Sequence, residues 1–320
     1  MNRNISPMKP KVWLAFNWPD DVVARLEEVA EVIFNDPEHL SGADVVVVRY
    51  ADGPFMDRVG PGLKLIARSG IGVDGIDIQA AAERGILITN TPDAPTESTA
   101  EHAVALLLAV AKRVMVGDMQ LRGADLPRSA MIGTEVKGRT LGVVGYGRIG
   151  RRVAEICALG LRMKVLVYDP FCTETVPAPE GVTFISELDI LLAQADFVTL
   201  HTPLTPETRH LIDAAALRRM KPTAILVNMA RGPVVDTDAL VQALQEGWIQ
   251  AAALDVTDPE PLPADHILYT LENCLIAPHI GSATQHTRRR MAELACENLL
   301  AGLNGRRLPH CANPQVYESL

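Results

Sequence analysis

The chain has 320 residues, enough for two domains, and 48% of them are hydrophobic. Its 39 acidic against 30 basic residues leave a formal net charge of −9, which disfavours generic nucleic-acid binding, so Arg288-Arg289-Arg290 reads as a solvated helix face. The polar stretch Met1 to Pro10 lacks the apolar core of a signal peptide, and the run Ala103 to Ala111 is too short to span a bilayer; a cytoplasmic protein without membrane attachment is expected.

The predicted elements begin with a strand at Lys11 to Phe16, an amphipathic helix at Asp20 to Ala30 and a β-branched strand at Ala43 to Arg49. A strand at Leu63 to Ala67, a glycine turn at Ser69 to Asp74, a helix near Ile78 to Arg84 and a strand at Leu87 to Thr89 complete a first α/β unit. Pro92 and Pro95 break regular structure, and Thr96 and Ser98 lead into one long helix, Thr99 to Val116. From Gly138 the alternation restarts, with strands near 140, 164, 196, 223, 250 and 274, and a last helix runs from Gln285 to Leu303. The expected fold is α/β, two Rossmann-like doubly wound parallel-sheet domains with the second inserted into the first: residues 1–98 and 285–320 as one domain, 99–284 as the inserted domain. The five cysteines (Cys157, Cys172, Cys274, Cys296, Cys311) are scattered without a CxxC pair, so reduced thiols are expected, with neither a disulfide framework nor a metal site.

Gly145-Tyr146-Gly147-Arg148-Ile149-Gly150 is a GxGxxG between an apolar strand and residues of helical spacing, the context that gives this motif meaning. The first glycine permits a tight turn, the second lets backbone approach a pyrophosphate, and the third lets helix and strand pack. The helix N-terminus attracts the phosphates. A second strand, Lys164 to Tyr168, ends at Asp169, about 20 residues beyond the motif, where a carboxylate binds the adenosine ribose hydroxyls. That carboxylate repels a 2′-phosphate, and Pro170-Phe171-Cys172 offers no arginine, so NAD is favoured over NADP. His201-Thr202-Pro203 follows the strand Asp196 to Leu200 and is expected to line the adenosine side, with Thr208 near it.

Ligands bind at the carboxyl ends of such strands. Arg231 follows the strand Thr223 to Val227, Glu260 follows the strand starting near Ile249, and His279 follows the strand at 274–277. Jointly, at successive strand ends of one cofactor-binding sheet, a guanidinium, an imidazole and a carboxylate point to catalysis: an anion anchor, a proton donor and a group that keeps the donor charged. His102, His201 and His210 lack such partners in sequence and are weaker acid/base candidates. The turn containing Ile71 and Gly72 offers amides for a carboxylate. Arg49, at a strand end, either binds the far end of the substrate or makes a surface salt bridge.

With fingerprint, arginine, glutamate and histidine in this order, the chain resembles the NAD-dependent D-isomer-specific 2-hydroxyacid dehydrogenases over essentially its whole length. Ala253-Leu254-Asp255-Val256 through Pro278-His279-Ile280-Gly281-Ser282-Ala283-Thr284 is most similar to the glyoxylate/hydroxypyruvate reductase branch. The resemblance implies that Arg231 holds the substrate carboxylate and carbonyl oxygen, that His279 is the acid/base and that Glu260 pairs with it. It implies carboxylate binding by Ile71 and Gly72, a nicotinamide contact for Asp255, cofactor contacts for Met229 and Ala230 beside Arg231, a small 2-oxo or 2-hydroxy acid as substrate, and a homodimer. Two other readings stay open: 3-phosphoglycerate as substrate, or an NAD-sensing binding protein like the corepressors that resemble this family. Only Ala312 to Leu320 follow Cys311, so no appended regulatory domain is expected.

Overall fold

The computed structural model describes residues 9–172 and 178–318; residues 1–8 of the polar leading stretch and the last two residues lie outside the described residues. What is described forms two compact units, one comprising the chain up to Pro95 together with Ala283 onward, the other Thr96–Ser282.

The first unit is a five-stranded sheet of β1 (Lys11–Leu14), β2 (Glu31–Phe34), β3 (Val45–Val48), β4 (Leu65–Arg68) and β5 (Leu87–Thr89), in the order β2-β1-β3-β4-β5 and parallel throughout. Central β3 is four consecutive buried valines, as a strand covered on both faces requires. Val45 and Val47 join Val12, Leu14, Leu65 and Ala67 in packing against Ala292, Ala295, Cys296 and Leu299 of the helix Gln285–Leu303. Val46 and Val48 face the other way, into a cluster with Trp13, Ile66 and Ile88. The C-terminal segment is tied to β5 by Asn313, fully buried: Ile88 N donates to its Oδ1 at 2.7 Å and its Nδ2 donates to Ile86 O at 2.9 Å.

The second unit is a seven-stranded parallel sheet: β6 (Thr140–Val144), β7 (Lys164–Tyr168), β8 (Val182–Phe184), β9 (Phe197–Leu200), β10 (Ile225–Asn228), β11 (Ala251–Leu254) and β12 (Cys274–Ile276). Its order, β12-β11-β10-β9-β6-β7-β8, is the doubly wound arrangement, with the chain reversing direction across the sheet between β6 and β9. All the expected strands are present. The two strands not expected, β2 and β8, are edge strands of four and three residues with no fully buried residue; the apolar run Val32-Ile33-Phe34 and the pair Val182 and Phe184 are too short for periodicity to tell from loop.

The single helix expected over Thr99 to Val116 is instead two, Thr96–Ala111 and Val114–Leu121. Arg113 between them is left-handed (φ 56), and the amide of Thr134 returns to cap the Ala111 carbonyl at 2.7 Å. The apolar pattern continued past the break because Val114 and Leu121 are apolar yet exposed, 60% and 90%. Cys157, Cys274 and Cys296 are buried and all five cysteines are free thiols. Burial pushes the thiols of Cys157 and Cys274 up to about 12, so both stay protonated. Among the described residues, no helix is long and apolar enough to cross a membrane.

Replacing Asn313 by Ala leaves a buried N–H and a buried C=O on β5 without partners, a loss of about 1–3 kcal/mol. Urea unfolding is expected to show a lower midpoint at unchanged slope; an unmoved midpoint would mean that the Asn313 side chain does not help to secure β5.

Candidate active site

The three fingerprint glycines have separate reasons to be glycine. Gly145 has φ 92, and a Cβ there would lie 2.8 Å from the His201 carbonyl carbon and 2.9 Å from Thr202 N, so the turn packs directly on the chain leaving β9. A Cβ on Gly150 would overlap the Gly145 carbonyl, the close helix–strand approach that opens the helix Arg148–Glu155. A Cβ on Gly147 would meet nothing in the protein within 4 Å. Protein packing explains the first and third; open space at the second fits backbone meant to approach a ligand.

Tyr146 is buried against Phe184 of β8, edge to face with centroids 5.1 Å apart, and its carbonyl accepts from Arg151 Nε at 3.0 Å. Asp169 faces this turn: its Oδ2 accepts from Tyr146 N at 2.7 Å and its Oδ1 from Phe171 N at 2.8 Å. The carboxylate is thereby pinned at the end of β7, beside the fingerprint. Arg148 is exposed at the N-terminus of its helix and Ile149 packs onto the core beneath. His201 and Thr202 lie on the other side of the turn, and the buried His201 Nδ1 and Thr202 Oγ1 have no hydrogen-bond partner among the described residues. His201 Nε2 is 2.9 Å from Thr199 Oγ1, and burial pushes the imidazole down to about 3, so it stays neutral. Thr208 Oγ1 donates to Pro203 O at 2.7 Å and accepts from Thr205 N at 2.8 Å, which shapes the loop after β9. Glycine turn, pinned carboxylate and unpartnered polar atoms at the switch point fit a dinucleotide.

The remaining groups come from the ends of β10, β11 and β12. Asn228, 1% exposed, closes the turn after β10 by accepting from Ala230 N and donating to Arg231 O, each at 3.0 Å. Arg231 is half-buried, and its Nη1 donates to Ala230 O at 2.7 Å. Gly232 follows because a Cβ there would overlap the Thr257 carbonyl; this presses the Arg231 turn against the loop that carries Glu260. Met229 and Ala230 are buried beneath, with Met229 Cε 2.9 Å from where a Gly281 Cβ would stand. His279 is left-handed (φ 53), and its amide donates to the Asp255 carbonyl at 2.8 Å. Its Nδ1 lies 2.6 Å from Glu260 Oε1, with the two side chains 40% and 35% exposed.

Asp255, 3% exposed, accepts from Ile280 N at 2.8 Å and Gly281 N at 2.9 Å, and His102 Nε2 of the helix Thr96–Ala111 lies 3.2 Å from its Oδ1. The sequence reading set His102 aside for want of a partner; folding supplies Asp255. Asn228 and Tyr146 were missed as well, although a polar residue ending an all-apolar strand was the available signal for Asn228. Burial alone would raise the Asp255 carboxyl, but His102 and the two amides outweigh it and hold the group below the usual carboxylate range.

In the other unit, Ile71 and Gly72 follow β4 in a half-buried loop, and among the described residues their amides donate to no protein acceptor. Arg49, at the end of β3, is exposed and stands over the Phe16 ring at 5.6 Å; it makes no salt bridge among the described residues. No cluster of histidine, cysteine and carboxylate side chains among the described residues could hold a metal ion.

The family model for the D-isomer-specific 2-hydroxyacid dehydrogenase NAD-binding domain matches residues 104–281. A glyoxylate reductase of Korarchaeum cryptofilum is 42% identical over 97% of this chain and 98% of its own. A solved protein of Thermus thermophilus superposes with a TM-score of 0.82 at 45% identity, covering 94% of this chain and 99% of that one. The NADPH-dependent glyoxylate/hydroxypyruvate reductase of Sinorhizobium meliloti, solved with NADP and malonate, gives 0.82 at 30% identity over 95% and 97%.

The two shifted groups predict an acid response with a definite sign. The stabilisation from ionised Asp255 is complete above the unfolded carboxyl pKa of about 4 and lost as pH falls through its lower folded value. His201, neutral when folded, disfavours the native state as pH drops from about 6.5 towards about 3. Asp255→Asn is therefore expected to flatten stability below about pH 4, and His201→Gln to flatten it from about pH 6.5 downward; calorimetric scans across pH that parallel wild type would contradict both assignments.

Proposed function

The chain belongs to the D-isomer-specific 2-hydroxyacid dehydrogenase family, and from that premise we propose that it reduces a small 2-oxo acid, glyoxylate or hydroxypyruvate first, to the 2-hydroxy acid with NADH. Membership makes it an NAD-dependent oxidoreductase acting on the CH–OH group of 2-hydroxy acids. The observation that carries the proposal is the His279–Glu260 pair, 2.6 Å apart in the sheet that bears the glycine turn.

The cofactor is held by Gly145, Gly147, Gly150 and Asp169, with Arg148, Ile149, His201, Thr202, Pro203, Thr208, Met229, Ala230 and Asp255 around it, and when bound it supplies the hydride. Glu260 accepts from His279 Nδ1, which leaves Nε2 of the protonated ring to pass its proton to the carbonyl oxygen. Arg231, charged at any working pH, binds the substrate carboxylate and polarises the carbonyl. The open amides of Ile71 and Gly72 are further carboxylate donors, and Arg49 suits the far end of the substrate. In the reverse direction His279 accepts the proton. The neutral state of His201 supports giving the acid/base role to His279.

Asp169 supports NADH as the preferred donor. Its oxygens are fixed by two backbone amides beside the turn, so a 2′-phosphate would meet a carboxylate that cannot swing away. The exposed Val114, Leu121 and Ile132 support a homodimer formed through this unit, and the free thiols suit a reducing cytoplasm.

Two measurements test the reading. His279→Ala is expected to lower kcat for glyoxylate reduction by roughly 10²- to 10⁴-fold with NADH affinity retained, and full activity in that variant would remove the relay. Across glyoxylate, hydroxypyruvate, pyruvate and phosphohydroxypyruvate, NADH is expected to give the higher kcat/KM; equal values with NADPH would refute the role of Asp169, and turnover confined to the phosphorylated substrate would refute the substrate assignment.

A further inference from the structure

The amides of Ile71 and Gly72 point where they do because of residues remote from them in sequence. A trans peptide is planar, with its C=O and N–H directed oppositely, so whatever grips the carbonyl aims the amide. The Ile71 carbonyl, in the same peptide as Gly72 N–H, accepts from Asn90 Nδ2 at 2.8 Å. The Gly70 carbonyl, in the same peptide as Ile71 N–H, accepts from Thr91 N at 2.9 Å. Both open amides are thus turned away from the segment 90–91.

The same reasoning applies one step further back. Thr91 N–H shares a peptide with the Asn90 carbonyl, and that carbonyl accepts from Asn298 Nδ2 at 3.2 Å. Asn298 is fully buried in the helix Gln285–Leu303, and its orientation is fixed because His310 N donates to its Oδ1 at 3.0 Å. Each bond sets the direction of the next: His310 to Asn298, Asn298 to the 90–91 peptide, that peptide to Gly70, with Asn90 adding its own bond to Ile71. An aspartate at 298 would set an oxygen against the Asn90 carbonyl and remove the donor, and only an amide meets both demands.

We propose that Asn90 and Asn298 are positioning residues that aim the Ile71 and Gly72 amides at the substrate carboxylate. This rests on the 2-oxo acid reading above. Neither asparagine touches the reacting atoms; their effect is on how well the anion is held, and hence on KM.

The test compares wild type, Asn90→Ala and Asn298→Asp, each folded and loaded with NADH. Steady-state kinetics with glyoxylate are read beside NADH affinity by fluorescence and the slowing of amide exchange at Ile71 and Gly72 by added oxalate. Asn90→Ala is expected to raise KM about tenfold, the equivalent of 1.4 kcal/mol, with kcat and NADH affinity nearly unchanged and oxalate protection lost. Asn298→Asp moves the same quantities in the same direction. An Asn90→Ala enzyme that is folded and keeps either its KM or its oxalate protection overturns the proposal, whether or not Asn298→Asp folds. If wild type reduces no 2-oxo acid, the substrate reading fails by itself; oxalate protection present in wild type and lost in Asn90→Ala would still uphold the aiming of the amides, and protection absent from wild type would end it.

Discussion

A buried carboxylate holds the chemistry-bearing end of the larger sheet together. Asp255 is 3% exposed, and taking such a charge out of water costs several kcal/mol unless it is fully engaged. It is engaged by the amides of Ile280 and Gly281 and by His102. Those partners belong to the loop after β12 and to the helix that opens the unit, so one side chain at the end of β11 fixes three pieces of chain. Its own carbonyl takes the His279 amide, which holds that residue in a left-handed conformation disfavoured for any side chain but glycine. The direction of the His279 ring, and its meeting with Glu260, depend on this arrangement. The buried Asp255 stabilises the loop more than it stabilises itself.

The same device recurs wherever a loop must present a donor or a side chain. Asn228 fixes the turn of Arg231 through one accepted and one donated bond, Asp169 fixes the fingerprint through Tyr146 N, and Asn90 with Asn298 fixes the loop of Ile71 and Gly72. Asn228, Asp169 and Asn90 stand at or just beyond the carboxyl end of a parallel strand and grip backbone, and Asn298, in the helix Gln285–Leu303, backs Asn90. Short side chains suit this task because few rotatable bonds must be immobilised. Parallel sheets make the task necessary, because all their functional loops leave from one edge with no neighbouring strand to pair with.

Much of this was legible in the sequence, for identifiable reasons. The fingerprint, Asp169, Arg231, Glu260 and His279 each follow a run of apolar residues, and a strand end is the easiest position to read. Edge strands β2 and β8 were not legible because they are only four and three residues long, so that Val32-Ile33-Phe34 and Val182-Thr183-Phe184 are too short to show a period. The break at Arg113 was not legible either: the Ala111 carbonyl before it is capped by the amide of Thr134, from a distant part of the sequence, and apolar residues continue across it. His102 illustrates the general limit. It lies in a helical run whose periodicity says only that it faces inward, while its partner Asp255 lies some 150 residues away, and nothing local announces the pair.

Two histidines at strand ends of one sheet show how far environment decides chemistry. His201 follows β9 and His279 follows β12, and by residue type and position either would serve as an acid near neutrality. His201 is enclosed and, among the described residues, its ring hydrogen-bonds only with the Thr199 hydroxyl, so burial holds it neutral. His279 is 40% exposed and its Nδ1 lies 2.6 Å from the Glu260 carboxylate. A neutral ring beside the fingerprint suits a region built to receive phosphates without exchanging protons. A ring aimed by a carboxylate and a fixed backbone suits the role proposed for His279. The two rings stand at different strand ends along one edge of the sheet, and the difference between them lies in what surrounds each imidazole.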